Sequence, residues 1–201
     1  IVWASGFTKL ISQTSFRKYF EKAVSETKKY MRGLYIGRFQ PYHLGHEAVL
    51  QEISEEMDEI VVVIGSAQES HTTINPFTAG ERMEMICASL RAVDLRSRCY
   101  VIPVQDINRN SIWVAHLQSM IPQFDVVYSN NPLVVRLFSE AKVAVKKPPM
   151  CRRDVYSGTV IRKTMREGGD WETLVPESVA AIITKIGGVE RLSSVSKNDS
   201  S

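Results

Sequence analysis

A chain of 201 residues with 44% hydrophobic and 23% charged side chains and a mean hydropathy of −0.12 has the composition of one globular domain with a sizeable core. The longest unbroken apolar runs, among them Ile60 to Ile64, are far below the roughly 20 residues a membrane helix needs, so no membrane partner is expected. The formal net charge of +3 is uneven: residues 1–30 hold six basic side chains against two acidic ones, and the rest of the chain nineteen against twenty.

The sequence pI of 8.8 therefore reports mainly the first thirty residues and not a basic face, and no nucleic-acid partner is expected. Those residues are read as an extension outside the main fold, with a composition that also fits an organelle-targeting segment. A domain over residues 31–192 follows, and Ser193 to Ser201, nearly all Ser, Lys, Asn and Asp, reads as a frayed polar tail. Cys87, Cys99 and Cys151 are odd in number and far apart, which suits reduced thiols in a cytoplasmic protein and fits no zinc spacing.

From Gly33 the chain alternates short apolar runs with helical patterns. Strands are predicted at Gly33–Phe39, Glu59–Gly65, Tyr100–Val104, Phe124–Tyr128 and Val143–Lys146. Helices are predicted at Gly45–Glu56, Thr78–Arg91, Ile112–Met120, Pro132–Glu140, Ser157–Glu167 and Pro176–Ile186, the last closing the domain. Thr78 and Glu81 stand at capping-box spacing, and Pro132 opens its helix. Near-continuous Val and Ile in the second strand mean that both its faces are covered, as in a parallel sheet with helices on each side. The expected fold class is a doubly wound, Rossmann-like α/β domain. Ligands of such sheets bind beyond the carboxyl ends of the strands, so functional residues belong just after each apolar run.

After the first strand comes Gly37-Arg38-Phe39-Gln40-Pro41-Tyr42-His43-Leu44-Gly45-His46. Two histidines three apart, where a loop becomes a helix, can aim both imidazoles at one spot beside free N–H groups, which makes an anion site. A metal needs a third ligand, and neither His71 nor His116 stands in a spacing that supplies one.

The His-x-Gly-His element resembles the signature of nucleotidyltransferases that transfer AMP or CMP from a nucleoside triphosphate. A second element of that superfamily is matched by Ser157-Gly158-Thr159-Val160-Ile161-Arg162, a hydroxyl-rich turn opening a helix with a basic residue in its first turns. Further blocks, Gly65 to His71, Asn75 to Arg82, Pro103 to Ile107 and Tyr128 to Leu133, resemble the archaeal type of nicotinamide-nucleotide adenylyltransferase over residues 31 to about 192. Asn130 departs from the family's usual Gly, and Asn is the side chain that best tolerates a positive φ there.

The resemblance implies transfer of AMP from ATP to nicotinamide mononucleotide, giving NAD, in a homo-oligomer. It implies an ATP site of Gly37, Arg38, Phe39, His43, Gly45, His46, Ser157, Gly158, Thr159 and Arg162. Among these His43, His46, Arg38 and Arg162 act on the phosphates, and Mg2+ arrives with ATP instead of on protein ligands. It implies a nicotinamide-nucleotide site of Gly65, Ser66, Asp106, Trp113 and Asn131, with Trp113 stacking on the ring and Asp106 near its carboxamide. Read without the family, Ser157 is a helix cap, Trp113 an interior side chain and Asp106 a loop cap. Other acceptors (phosphopantetheine, flavin mononucleotide, an alcohol phosphate) and a nucleotide sensor without turnover are the rival readings. The length leaves no room for tRNA-binding domains, and no G-x-x-x-x-G-K-[ST] loop occurs.

Overall fold

The computed structural model describes residues 29–148 and 154–198. Most of the basic extension, together with Cys151, lies outside them. The chain divides after Tyr30, and every element below belongs to the unit that begins at Met31. No helix among the described residues is long and apolar enough to cross a membrane.

Five parallel strands, β1 (Arg32–Gly37), β2 (Glu59–Ile64), β3 (Cys99–Pro103), β4 (Val126–Tyr128) and β5 (Ala144–Lys146), form one sheet in the order β3-β2-β1-β4-β5. They alternate with helices α1 (Leu44–Glu56), α2 (Ala79–Ala92), α3 (Asn110–Met120) and α4 (Pro132–Glu140). Helices α5 (Gly158–Glu167), α6 (Glu177–Lys185) and α7 (Gly188–Asn198) complete the unit. The second strand explains the two-sided cover. Ile60, Val62 and Ile64 enter a core with Leu50 and Ile53 of α1, Met85 and Ile86 of α2, and Val179 and Ile183 of α6. Val61 and Val63 point the other way, into a core with Val114 and Leu117 of α3 and Phe138 of α4. All five of these β2 side chains are at most 1% exposed, so the period-two alternation feeds two cores at once.

The chain builds outward from β1 to β3 on one side and returns to place β4 on the other, so the strand order reverses between β1 and β4. A crevice opens beyond the carboxyl ends at such a reversal.

Two expectations change. The first strand stops at Gly37, because Phe39 has φ 51° and turns the chain out of the sheet. Ser193 does not begin a frayed tail, since α7 runs to Asn198. Val189, Leu192 and Val195 recur on one face; Leu192 is fully buried and the other two pack against the core, so a helical stripe overrides the polar composition. Arg191 adds a two-pronged ion pair to Glu81 of α2, at 2.7 and 2.8 Å.

Candidate active site

The two histidines cap the helix they introduce. His43 is the N-cap of α1 in extended conformation, and its Nδ1 accepts the backbone N–H of His46 at 3.3 Å. The Nδ1 of His46 accepts the backbone N–H of His43 at 3.3 Å, and the rings stack 3.5 Å apart. This is a capping box in which imidazoles replace hydroxyl and carboxylate. Because each Nδ1 accepts, each proton must sit on Nε2, so both rings are neutral donors of one tautomer. Burial supports the neutral forms. It holds His43 down to about 4, and burial together with neighbouring His43 holds His46 well below the usual range.

Around them a cavity of about 330 Å3 is lined by Arg38, Phe39, His43, Gly45, His46, Ser157, Gly158, Thr159 and Arg162. Its two walls come from segments far apart in sequence, and they fit because two positions lack a Cβ. A Cβ on Gly45 would lie 2.9 Å from the Tyr156 Cβ, and one on Gly158 would lie 2.9 Å from both the Gln40 carbonyl and Arg162 Nη1. Arg162 Nη1 donates to the Gln40 carbonyl at 2.7 Å, and Ser157 Oγ accepts from Val160 N as the cap of α5. Phe39 is only 1% exposed and meets the His46 ring edge-on at 4.8 Å, so it backs the histidine as much as it lines the cavity.

A second cavity, also about 330 Å3, is lined by Gly37, Arg38, Gly65, Ser66, Asp106, Trp113 and Asn131 among others. Gly37, expected in the ATP site, lines this cavity and not the first. Asp106 joins the walls. It accepts from Ser66 Oγ at 2.6 Å and from Trp113 Nε1 at 3.4 Å. Trp113 is half-buried, with its ring edge-on to Phe138 at 5.8 Å and the cavity beside it, so it combines the interior and the ligand-facing readings. Asn131 caps α4 through Oδ1. Ile36, Arg38 and Asn131 line both cavities.

A profile described as cytidylyltransferase-like matches residues 34–164. The chain is 62% identical over 168 residues to the nicotinamide-nucleotide adenylyltransferase of Methanothrix thermoacetophila, a match covering 84% of this chain and 98% of that protein. It is 53% identical over 169 residues to the enzyme of that name from Halorubrum lacusprofundi, covering 84% and 95%. The chain belongs to this nucleotidyltransferase family. Among solved structures, a bifunctional NMN adenylyltransferase/ADP ribose pyrophosphatase from Francisella tularensis, complexed with AMP and a manganese ion, superposes with a TM-score of 0.70 at 19% identity. That match covers 85% of this chain and 53% of the other, so the chain spans about half of that protein's length and the likeness shows the fold.

The positive φ expected at Asn130 is not found. Its Nδ2 instead donates to the Pro148 carbonyl at 2.9 Å, tying the end of β4 to the segment beyond β5. The left-handed positions of the site are Phe39, Ser66 and Asn108, at φ 51°, 48° and 52°, and of these only Asn108 is of a residue type that favours the conformation. Ser129, directly after β4, and Asn108 and Asn110, between the end of β3 and the first turn of α3, also line the cavities at positions to which the sheet rule points, whereas Tyr156, beside the cap of α5, is placed there only by the tertiary fold. Arg136 and Lys146 pair with Glu140 and Glu56 at the surface.

Proposed function

We propose that the protein transfers AMP from ATP to nicotinamide mononucleotide, releasing pyrophosphate and giving NAD. The observation that carries this is the meeting of two cavities at one arginine. A phosphate-binding pocket of neutral histidine donors and guanidinium groups touches, through Arg38, a pocket of indole and carboxylate suited to a flat cationic ring. The high identity to curated nicotinamide-nucleotide adenylyltransferases supports the same reading.

In this reaction an oxygen of the acceptor phosphate forms a bond to the α phosphorus of ATP while the bond to the bridging oxygen of pyrophosphate breaks. The attacking phosphate is already ionised, so the chain supplies position and charge stabilisation and no covalent nucleophile. His43 and His46 donate Nε2–H to phosphate oxygens, the α phosphate above all, where charge shifts in the transition state. Arg162 neutralises the β and γ phosphates. Burial, then Arg38 and Arg166, push its guanidinium down to about 10, which still leaves it charged at neutral pH. Arg38, facing both cavities, bridges the acceptor phosphate and ATP. The divalent cation enters as part of the substrate, MgATP, held by phosphate oxygens and water; among the described residues no cluster of three or more His, Cys, Asp or Glu could hold a metal.

In the acceptor pocket the Trp113 indole stacks on the pyridinium, and Asp106 accepts from the ring carboxamide. A ring carboxylate would meet Asp106 with like charge, so the nicotinamide form is favoured over the nicotinate form. The setting proposed is a cytoplasmic homo-oligomer, in keeping with the free thiols of Cys87 and Cys99 and with the family resemblance. The test is direct. The protein is incubated with magnesium, ATP and a panel of phosphorylated acceptors, and the dinucleotide formed is identified by mass. NAD from nicotinamide mononucleotide is expected; turnover of phosphopantetheine or flavin mononucleotide alone would overturn the assignment, and binding without turnover would indicate a sensor.

A further inference from the structure

We propose that Arg82 is a positioning residue for this reaction: a buried guanidinium fork that locks the turn carrying Arg38 to the turn carrying Ser66, and so holds the two substrate pockets in register. The inference rests on the adenylyl-transfer reading above.

Arg82 occupies a place that should be apolar. On α2 it shares the inward face with Met85, Ile86, Ser89 and Leu90, and it is 0% exposed. Every donor has an acceptor, and every acceptor is a backbone carbonyl. Nε donates to Thr78 at 3.2 Å. Nη1 donates to Arg38 and to Gly65, both at 2.9 Å. Nη2 donates to Ser66 at 3.1 Å and to Glu69 at 3.3 Å. No carboxylate pairs with it among the described residues, and burial, then the nearby Arg38, push it down to about 10.

A buried charge without a counter-ion is costly, and a structural bridge between two turns does not require one. What the guanidinium alone supplies is five donors in a rigid plane, enough to bind two separate turns at once. The turns it joins are those that follow β1 and β2. Arg38 lines both cavities, and Gly65 and Ser66 line the second. Ser66 is held at φ 48°, a conformation that persists in a non-glycine residue only where its surroundings fix it, and from there its hydroxyl reaches Asp106. Arg82 therefore sets the Arg38 backbone against the Ser66–Asp106–Trp113 wall. A phosphate held by Arg38 and a ring held by that wall reach the in-line geometry only if the fork keeps its length.

Arg82→Lys retains the charge and removes the fork, and three quantities separate positioning from general support. Equilibrium affinities for ATP and for nicotinamide mononucleotide, each measured alone, should change less than about fivefold, because each half-site survives. The single-turnover rate with both substrates saturating, counted per active site by titration, should fall by about 10²-fold, the scale of a misplacement near 1 Å. A lower melting temperature with an unchanged rate per active site, or equal losses in both affinities that account for the whole effect, would overturn the proposal. If the variant does not fold, hydrogen exchange on the wild-type protein decides. ATP alone should slow exchange of backbone amides at 65–69 as well as at 37–46; protection confined to 37–46 and 157–162 would show that the turns are not coupled. Failure of the wild-type protein to make a dinucleotide would sink the adenylyl-transfer reading itself, whereas wild-type turnover beside a normal rate in Arg82→Lys would sink only the role of Arg82.

Discussion

His43 and His46 show what a buried capping pair does to ionisation. The unfolded chain takes up the His43 proton near its ordinary value of 6.5, but the folded chain only near 4, because burial penalises the imidazolium and Nδ1 already accepts a backbone N–H. Between those values the unfolded state binds more protons, so stability is full above about pH 6.5 and is lost as the pH falls toward 4. The loss from this one group is about 3 kcal/mol by pH 4. Asn also caps helices, so His43→Asn should keep its fold at pH 7 and lose less stability between pH 7 and 4 than the wild type by about that amount; urea unfolding at both pH values measures it. In the proposed reaction His46 donates to developing charge, so His46→Ala should lower kcat by about 10² to 10³, with much smaller effects on substrate affinity. A kcat within threefold of wild type would remove His46 from the chemistry. Trp113→Ala should weaken binding of the acceptor by about five- to thirtyfold, the worth of ~1 to 2 kcal/mol of cation–π contact, and leave ATP affinity nearly unchanged in titrations of each ligand alone. Equal losses for both would mark its contact with Phe138 as the dominant role.

The start of α5 is where an element, more than any one side chain, makes the site. Gly158 lets the helix lie against the Gln40 carbonyl, and Arg162 then reaches that carbonyl from the next turn. Gly158→Ala puts a methyl group where Gln40 O and Arg162 Nη1 already are, so α5 must move off the first turn. ATP affinity should fall about tenfold, as expected for roughly 1 to 3 kcal/mol of overpacking, with acceptor affinity little changed in calorimetry. This packing was legible only in part. Period-two and helical patterns located all five strands and six of the helices, and α4 has the predicted bounds Pro132–Glu140. The Thr78/Glu81 capping box is present with both bonds made. What pattern could not supply was anything set by tertiary contact. A Ser-rich stretch became α7 because three apolar side chains found the core. Arg82 sits in an apolar stripe because five backbone carbonyls there need a donor, and its five bonds replace what hydration would give. The strained backbone at Ser66 leaves no mark on composition at all.

At the scale of the whole molecule, the reversal of strand order between β1 and β4 is what lets segments far apart in sequence serve one crevice. The first turn after β1 supplies histidines, α5 supplies Arg162, and the turns after the strands between supply the wall of the second cavity. All of these residues belong to the unit that begins at Met31, and both cavities are lined by its side chains. The excess positive charge of residues 1–30 has no counterpart in the rest of the chain, which is nearly neutral. A match of 168 residues already accounts for 98% of the Methanothrix relative, so a nucleotidyltransferase of this family needs little beyond a unit of that size. A chain starting at Met31 should therefore fold cooperatively and turn over at the rate of the full chain, with unchanged affinities for ATP and acceptor. Thermal unfolding with and without MgATP measures the first point. The second follows from steady-state rates, and a more than tenfold lower kcat per folded molecule would mean that residues 1–30 contribute to catalysis.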